Sequence, residues 1–253
     1  MMRDYHLHSA FSADSEAPME EMVRAALQRG LDEICFTEHV DFKHPDMEFA
    51  LDVPAYLREA CRLRAVYGDR ILIHTGVELG IEPNNVSDAL TFYREHRNYI
   101  HFWLGSCHVF DGGDPYDRDF FSHMPAGQVY RDYFEGVLYV AETFPLATSL
   151  AHLDYVRRYD PSPDKYRYSD YASLLDRILR TIIQNGTCLE LNTSGCRRDN
   201  APNPYWSVAQ RYAELGGRLI TIGSDAHEPD NVGDRIGETQ SQAAKMRLEV
   251  FRI

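Results

Sequence analysis

The chain is short of basic charge, of paired cysteines and of long apolar runs. Lysine and arginine number 26 against 39 aspartates and glutamates, a formal net charge of −13 over 253 residues. A surface that tracks a phosphate backbone needs a basic stripe, so this balance argues against a nucleic-acid partner. No window approaches the roughly 18 apolar residues required to span a bilayer. The N-terminus has no basic-then-apolar leader, so a cytoplasmic protein with no membrane partner is expected. Five cysteines (Cys35, Cys61, Cys107, Cys188 and Cys196) make an odd count with no CxxC pair. Several sit in apolar runs such as EICFTE, and they read as buried free thiols. The acidic excess carries a second meaning. Carboxylates gathered around bound cations make the formal count more negative than the loaded protein is.

What is present is a rhythm of short apolar runs and longer helical patterns. The strand-like runs are DYHLH, EICFTEH, ILIHTGVEL, HFWLGSCHV, PLATSLAHL, TCLELNTS and RLITIGSDAH. Between the first two, Met19, Met22, Val23, Ala26 and Leu27 fall at helical spacing, with Gly30 following as the C′ residue. Similar patterns run over 54–67, 128–144, 170–184 and 205–215, and DALTFYREH marks a further helix. The segments 111–117 (DGGDPYD) and 161–166 (PSPDKY) read as surface loops. Alternating strands and helices predict parallel pairing. With no linker or repeat in view, residues 1–253 are expected to form one domain, a distorted seven-stranded (β/α)7 TIM-like barrel.

The informative step is to ask which residues end the strands. They are His6 and His8, then Glu38 and His39, then Glu78, His108 and His152, then Asn192 to Ser194, and last Asp225 with His227. In a parallel barrel these ends share one face, the face that carries active sites. Six of the eleven histidines therefore converge with several carboxylates from across the chain. Residues i and i+2 of a strand point to one side, so His6 and His8 can ligate as neighbours, and Asp225 with His227 repeats the arrangement. Imidazole nitrogen and carboxylate oxygen are donors for zinc, manganese or ferrous iron. The donors exceed what one tetrahedral ion requires, which predicts two or three ions with Glu78 as a bridge. His44, His74, His96, His101 and His123 show no such placement.

DYHLH, FTEH, GVEL, GSCH, AHLD and GSDAH, in this order, closely resemble the motifs of the polymerase-and-histidinol-phosphatase (PHP) superfamily. The resemblance runs from Asp4 to about Gly233, and it implies the distorted seven-stranded barrel and a trinuclear centre. It implies that His6 and His8 share one ion with Glu78 and Asp225, and that Glu78 bridges to a second held by His108 and His152. A third would lie on His39 and His227 together with Asp14, which stands where some members have histidine. LELNTSGCRRDNAPNP and HLDYVRRYD are similar to the histidinol-phosphate phosphatases of the superfamily. That similarity implies a metal-dependent phosphomonoesterase of L-histidinol phosphate, serving histidine biosynthesis. The stretch after Gly233 looks shorter than the helix and strand that usually finish such proteins.

In such a site a hydroxide held between cations attacks phosphorus in line, with Glu78, Asp225 and His227 as the catalytic set. Charge gathers on the equatorial oxygens, so guanidinium forks are expected beside it. Arg197 lies just past the sixth strand, Arg157 and Arg158 just past His152, and Lys43 four residues past His39. These four are the phosphate-binding candidates. Glu38, Asp4 and Asp154 are candidates for orienting the ligands. The acidic and aromatic residues of DFKHPDMEF are candidates for the alcohol half of the substrate. Two other readings are a phosphoesterase of nucleotides or sugar phosphates and a non-catalytic metal-binding module.

Overall fold

Strands and helices alternate along the chain as the hydrophobic periodicity requires. A computed structural model describes residues 1–45, 47–110, 113–115 and 120–253, so the expected loop over 111–117 lies largely outside the described residues. In chain order the elements are β1 (Arg3–Leu7), α1 (Met19–Gln28), β2 (Glu33–Asp41), α2 (Val53–Tyr67), β3 (Leu72–Gly80) and α3 (Val86–His96). Then come β4 (Phe102–Ser106), α4 (Phe120–His123), α5 (Ala126–Thr143), β5 (Ser149–Leu150), α6 (Ala172–Asn185) and β6 (Cys188–Asn192). The chain finishes with α7 (Cys196–Asp199), α8 (Trp206–Glu214), β7 (Leu219–Gly223), α9 (Ile236–Lys245) and β8 (Glu249–Val250). Local chemistry sets several ends. Asp52 accepts from the Ala55 amide (3.0 Å) to cap α2, with Pro54 in its first turn. Gly30 follows α1 at φ +71°, a conformation glycine adopts without steric cost.

All strand pairs are parallel, in the order β1 to β8. The curled sheet closes at the ends of its strands, where Leu7 bridges Ala226; the His8 amide donates to Ala226 and the Asp225 amide to His6, each at 2.9 Å. Two expectations need correction here. Among the described residues the sheet has eight strands, one more than the seven expected. The stretch after Gly233, which looks shorter than the usual finishing helix and strand, supplies both, α9 and β8. The eighth strand leaves no pattern in the sequence because it is two residues long, and the apolar residues in it and just beyond, Val250, Phe251 and Ile253, make no recognisable alternating run.

Along each strand the faces alternate. Ile34 and Phe36 pack outward against α1 and α2; Val77, Leu79, Leu189, Leu191, Ile220 and Ile222 join the larger cluster under the remaining helices. Burying each such side chain is worth about 1.5–3 kcal/mol before chain entropy is counted. Inside, Tyr5, Cys35, Phe102, Leu104 and Ala151 form an apolar floor on which the C-terminal Phe251 and Ile253 pack. Above that floor the inward positions turn polar. Four of the cysteines are buried free thiols as expected, whereas Cys61 is exposed on α2. No helix among the described residues is long and apolar enough to cross a membrane.

Candidate metal centre

At the C-terminal strand ends the inward side chains meet. Glu78 stands at the middle. Its Oε2 lies 2.8 Å from His6 Nε2, 3.4 Å from His8 Nε2 and 3.5 Å from His39 Nδ1; its Oε1 lies 3.0 Å from His108 Nε2 and 2.8 Å from His152 Nε2. Asp225 Oδ1 is 3.7 Å from a nitrogen of each of His6, His8 and His227. The His8 ring lies against those of both His39 and His227, with centroids 4.2 Å from each, and these two stand 5.8 Å from one another. Asp14, at the mouth, places Oδ2 3.0 Å from His227 Nε2 and 3.5 Å from His39 Nε2. Four triplets of donor atoms each fit within 4.8 Å: His8, His39 and His227; His6, His8 and Asp225; His6, Glu78 and His152; His39, Glu78 and His108. All nine residues singled out from the sequence as ligands thus share one cluster, with Asp14 in contact with two of its histidines.

The backbone makes room for this. The β1–β2 register slips between Asp4 and Leu7, so Leu7 packs outward while His6 and His8 enter the cluster. A Cβ on Gly223 would sit 2.1 Å from His6 Cβ, and one on Gly80 1.5 Å from Asp41 Oδ1; only glycine permits these approaches. Asp225 takes φ +54°, which aspartate tolerates better than most residues. Asp4 staples the turn around it, accepting from the Ser224 amide (2.8 Å) and the Gly233 amide (2.9 Å).

Sequence reasoning missed two outer partners. Glu190 Oε1 lies 2.7 Å from His6 Nδ1, while its Oε2 accepts from the His152 amide at 2.7 Å. Asp41 Oδ1 lies 2.9 Å from His108 Nδ1. Carboxylates on the far ring nitrogen fix the tautomer and orientation of a ligating imidazole. The signal for both was available as period-two alternation: Glu190 shares the inward face of LELN with Asn192, and Asp41 follows His39 by two. Glu38 acts one bond further out. It accepts from Ser9 and from Ser12 Oγ (2.7 Å), and that hydroxyl stands 3.2 Å from His8 Nδ1. Asp154 instead accepts from Tyr166 and the Tyr205 amide, away from the cluster.

The electrostatics describe a site made for cations. Burial alone would raise the carboxyl pKa values of Glu78 and Asp225, yet neighbouring imidazoles, and Arg158 for Asp225, hold both well below the usual range. Burial would lower those of His6 and His108, but Glu190, Glu78 and Asp225 around the first, and Asp41 and Glu78 around the second, push both well above the usual value. His8, buried and next to His227 and His39, falls to about 3 and stays neutral. Its Nε2, with His39 Nδ1, is buried in the cluster without a hydrogen-bond partner. Orphaned imidazole nitrogens beside ionised carboxylates are the donors a divalent cation takes up, and no thiol is among them.

The four basic candidates divide. Arg158 Nη2 lies 2.9 Å from Asp225 Oδ2 and donates to Ser194 Oγ at 2.6 Å. Arg197 donates to the Ser224 carbonyl (3.1 Å) and lines the mouth beside Asp14, Arg158 and His227. Arg157 does not reach the site. Its guanidinium is buried, stacks on Tyr205 at 3.7 Å and donates to the Pro202 carbonyl (2.9 Å) and to Asn203 Oδ1. Lys43 is also turned away, onto the Asn84 carbonyl (2.7 Å) and Asp88 (2.8 Å). Adjacent positions in a tight turn point in different directions, which chain proximity could not resolve. A cavity of about 760 Å³ opens over the cluster, walled by His44, Met47, Phe49, Asp114, Tyr155 and Arg158 as well as by the cluster residues.

A family model of the PHP domain matches residues 4–194. A histidinol-phosphatase of Lactococcus lactis is 36% identical over 88% of this chain and 83% of its own length. One of Bacillus subtilis is 24% identical over 91% of this chain and 95% of its own. A crystal structure of histidinol phosphate phosphatase from Lactococcus lactis, complexed with zinc, L-histidinol and phosphate, superimposes with a TM-score of 0.90 at 32% identity, covering 99% of this chain and 95% of that one.

Proposed function

The chain belongs to the PHP domain family, and from that premise we propose that it is a histidinol-phosphatase, a metal-dependent enzyme that hydrolyses L-histidinol phosphate to L-histidinol and phosphate. The observation that carries the reading is the convergence of eight nitrogen and oxygen donor residues in one cluster, with Asp14 against two of its histidines, Arg158 on the cavity over it and Arg197 beside Arg158 at the mouth. His6, His8, Asp14, His39, Glu78, His108, His152, Asp225 and His227 would hold two or three divalent ions, zinc, manganese or iron. Ions in such a site make water nucleophilic at neutral pH and polarise phosphoryl oxygens.

The chain's own residues do the rest. Arg158 faces the cavity with its guanidinium already oriented by Asp225 and Ser194, so little reorganisation is needed when a phosphoryl group arrives. Arg197 approaches from the mouth, and the two forks meet charge that builds on the equatorial oxygens. Glu78 joins two groups of histidines through its two oxygens, His6, His8 and His39 at Oε2 and His108 and His152 at Oε1. Asp225, held in its ionised form, and His227 border the cavity, where they would hold ions and orient the attacking water. The half-buried Asp14 lies at the entrance, where it contacts His39 and His227.

The test is phosphate release from L-histidinol phosphate by the purified, metal-loaded protein, set against a panel of nucleotide and sugar phosphates. His152→Ala and Asp225→Asn should each lower turnover by at least about 10²-fold, with circular dichroism unchanged. Fast cleavage of another ester with histidinol phosphate left intact would sink the substrate assignment, and full activity in either variant would sink the centre.

A further inference from the structure

The end of β6 is unlike the other strand ends around the cluster. The ends of β1 to β5 and of β7 each supply an imidazole or a carboxylate, whereas β6 runs into the neutral Asn192, Thr193 and Ser194, all buried. Asn192 caps the short 3-10 turn that follows, its Oδ1 accepting from the Ser194 amide at 3.0 Å. A main-chain N–H can only donate, so the carbonyl end of the Asn192 side chain must face Ser194 and its NH2 end must face the other way. There Nδ2 donates to Glu190 Oε2 at 3.2 Å. The Ser194 hydroxyl donates to the same Asn192 Oδ1 at 2.6 Å, a closer contact than its 3.3 Å to Asp225 Oδ2. Its lone pairs are then free to accept from Arg158 Nη2 at 2.6 Å. The main chain beneath is fixed as well, because Asn192 and Asn203 exchange two amide-to-carbonyl hydrogen bonds of 2.8 Å.

One unbroken series of polar contacts therefore runs from the cluster to the arginine. His6 Nδ1 meets Glu190 Oε1 at 2.7 Å, Glu190 meets Asn192, Asn192 meets Ser194, and Ser194 meets Arg158. A hydroxyl free to rotate gives a guanidinium no direction, whereas one locked by its own donated bond does, and buried hydrogen bonds in series strengthen one another. We propose that Asn192 is a positioning residue for both halves of the site: through Ser194 it sets the direction of Arg158, and through Glu190 it holds the imidazole of His6. The inference rests on Arg158 being a phosphoryl ligand and deepens that reading. It also accounts for the neutral strand end. Only an amide offers an acceptor to Ser194 and a donor to Glu190 at once, while an ionised aspartate would set a second carboxylate oxygen against that of Glu190.

The test reads two binding constants separately: zinc by chelator competition in the absence of phosphate, and inorganic phosphate by calorimetry on the zinc-saturated enzyme. Ser194→Ala cuts the series on the arginine side. It should raise the phosphate Kd by about 10-fold and leave zinc affinity within about twofold. Asn192→Leu, close in volume, should weaken both by about 10-fold, and Asn192→Ala serves if that variant does not fold. A double-mutant cycle separates positioning from packing. In an Arg158→Ala background, Ser194→Ala should add less than about twofold to the phosphate Kd, whereas a packing defect would add in full. Full additivity, an unchanged phosphate Kd in Ser194→Ala, or an Asn192 variant that moves only one of the two constants overturns the proposal. Arg158→Ala without effect on phosphate would end the arginine's role and the positioning role together. A wild type that leaves L-histidinol phosphate intact, yet shows these phosphate and zinc effects, upholds the Asn192 role while ending the histidinol-phosphatase reading.

Discussion

Glu190 and Glu38 show how much of this site lies one bond beyond the ligands. Glu190 holds a ring nitrogen of His6 and the main chain of His152, so one carboxylate aligns donors from β1 and from the end of β5. Glu190→Gln keeps the size but gives up the charge-assisted bond. It should weaken metal affinity by about 10–100-fold in a chelator competition while leaving the circular dichroism unchanged. An unaltered affinity would remove Glu190 from the site. Glu38 offers a pH signature. Burial pushes its carboxyl up to about 7 from 4.5, against the hydrogen bonds from Ser9 and Ser12 that lower it. A carboxyl raised in the folded state contributes stability that is fully present below its unfolded pKa and is lost as pH rises through the folded value. Metal-free protein should therefore lose on the order of 2–3 kcal/mol between pH 4.5 and 7.5 relative to Glu38→Gln. Urea denaturation at the two pH values measures this, and a constant difference between the two proteins would contradict it.

At the scale of elements, short strands carry long responsibilities. β5 has two residues, yet its pairing with β4 and β6 is what delivers His152 to Glu78. β8 is as short, and its task is at the other end of the barrel, where Phe251 and Ile253 cover the apolar floor. Phe251→Ala should cost about 2 kcal/mol, less than a fully buried phenylalanine because this side chain is only partly enclosed. Thermal melting reads that loss, with kcat at 25 °C expected to stay within a factor of two because the site lies at the opposite strand ends. Arg157 is the element-scale counterpart. Its buried guanidinium ties the turn after β5 to Pro202 and Asn203, and the Asn203 main chain pairs with Asn192 at the end of β6. It braces the wall on which Ser194 meets Arg158.

For the whole molecule, carboxylates and imidazoles brought together from both ends of the chain make cation binding a folding term. Ions that bind the native cluster and not the unfolded chain stabilise by mass action, about 4 kcal/mol at a thousandfold excess over Kd. Stripping metal with a chelator should then lower Tm by about 10 °C, and restoring zinc should recover it. A Tm indifferent to chelator and zinc would show that the cluster holds no ion that matters to the fold. Part of the acidic surplus is gathered where it is useful: Glu78, Glu190, Asp41 and Asp225 are all buried around the histidines.

The sequence by itself determined the alternating architecture and nearly the whole donor set. Period-two runs declare strands, and in a parallel sheet every strand ends on the same face, so His6, His8, His39, Glu78, His108, His152, Asp225 and His227 could be gathered without coordinates; Asp14 came through the family resemblance. Tertiary structure decided what periodicity does not encode. It chose Arg158 and Arg197 over Arg157 and Lys43, because side-chain direction in a turn depends on backbone angles and not on distance along the chain. It added β8, which is too short to leave a pattern. It also joined Glu190 to His6 and Asp114 to His44, since a hydrogen bond between residues 184 or 70 positions apart exists only once the barrel has closed.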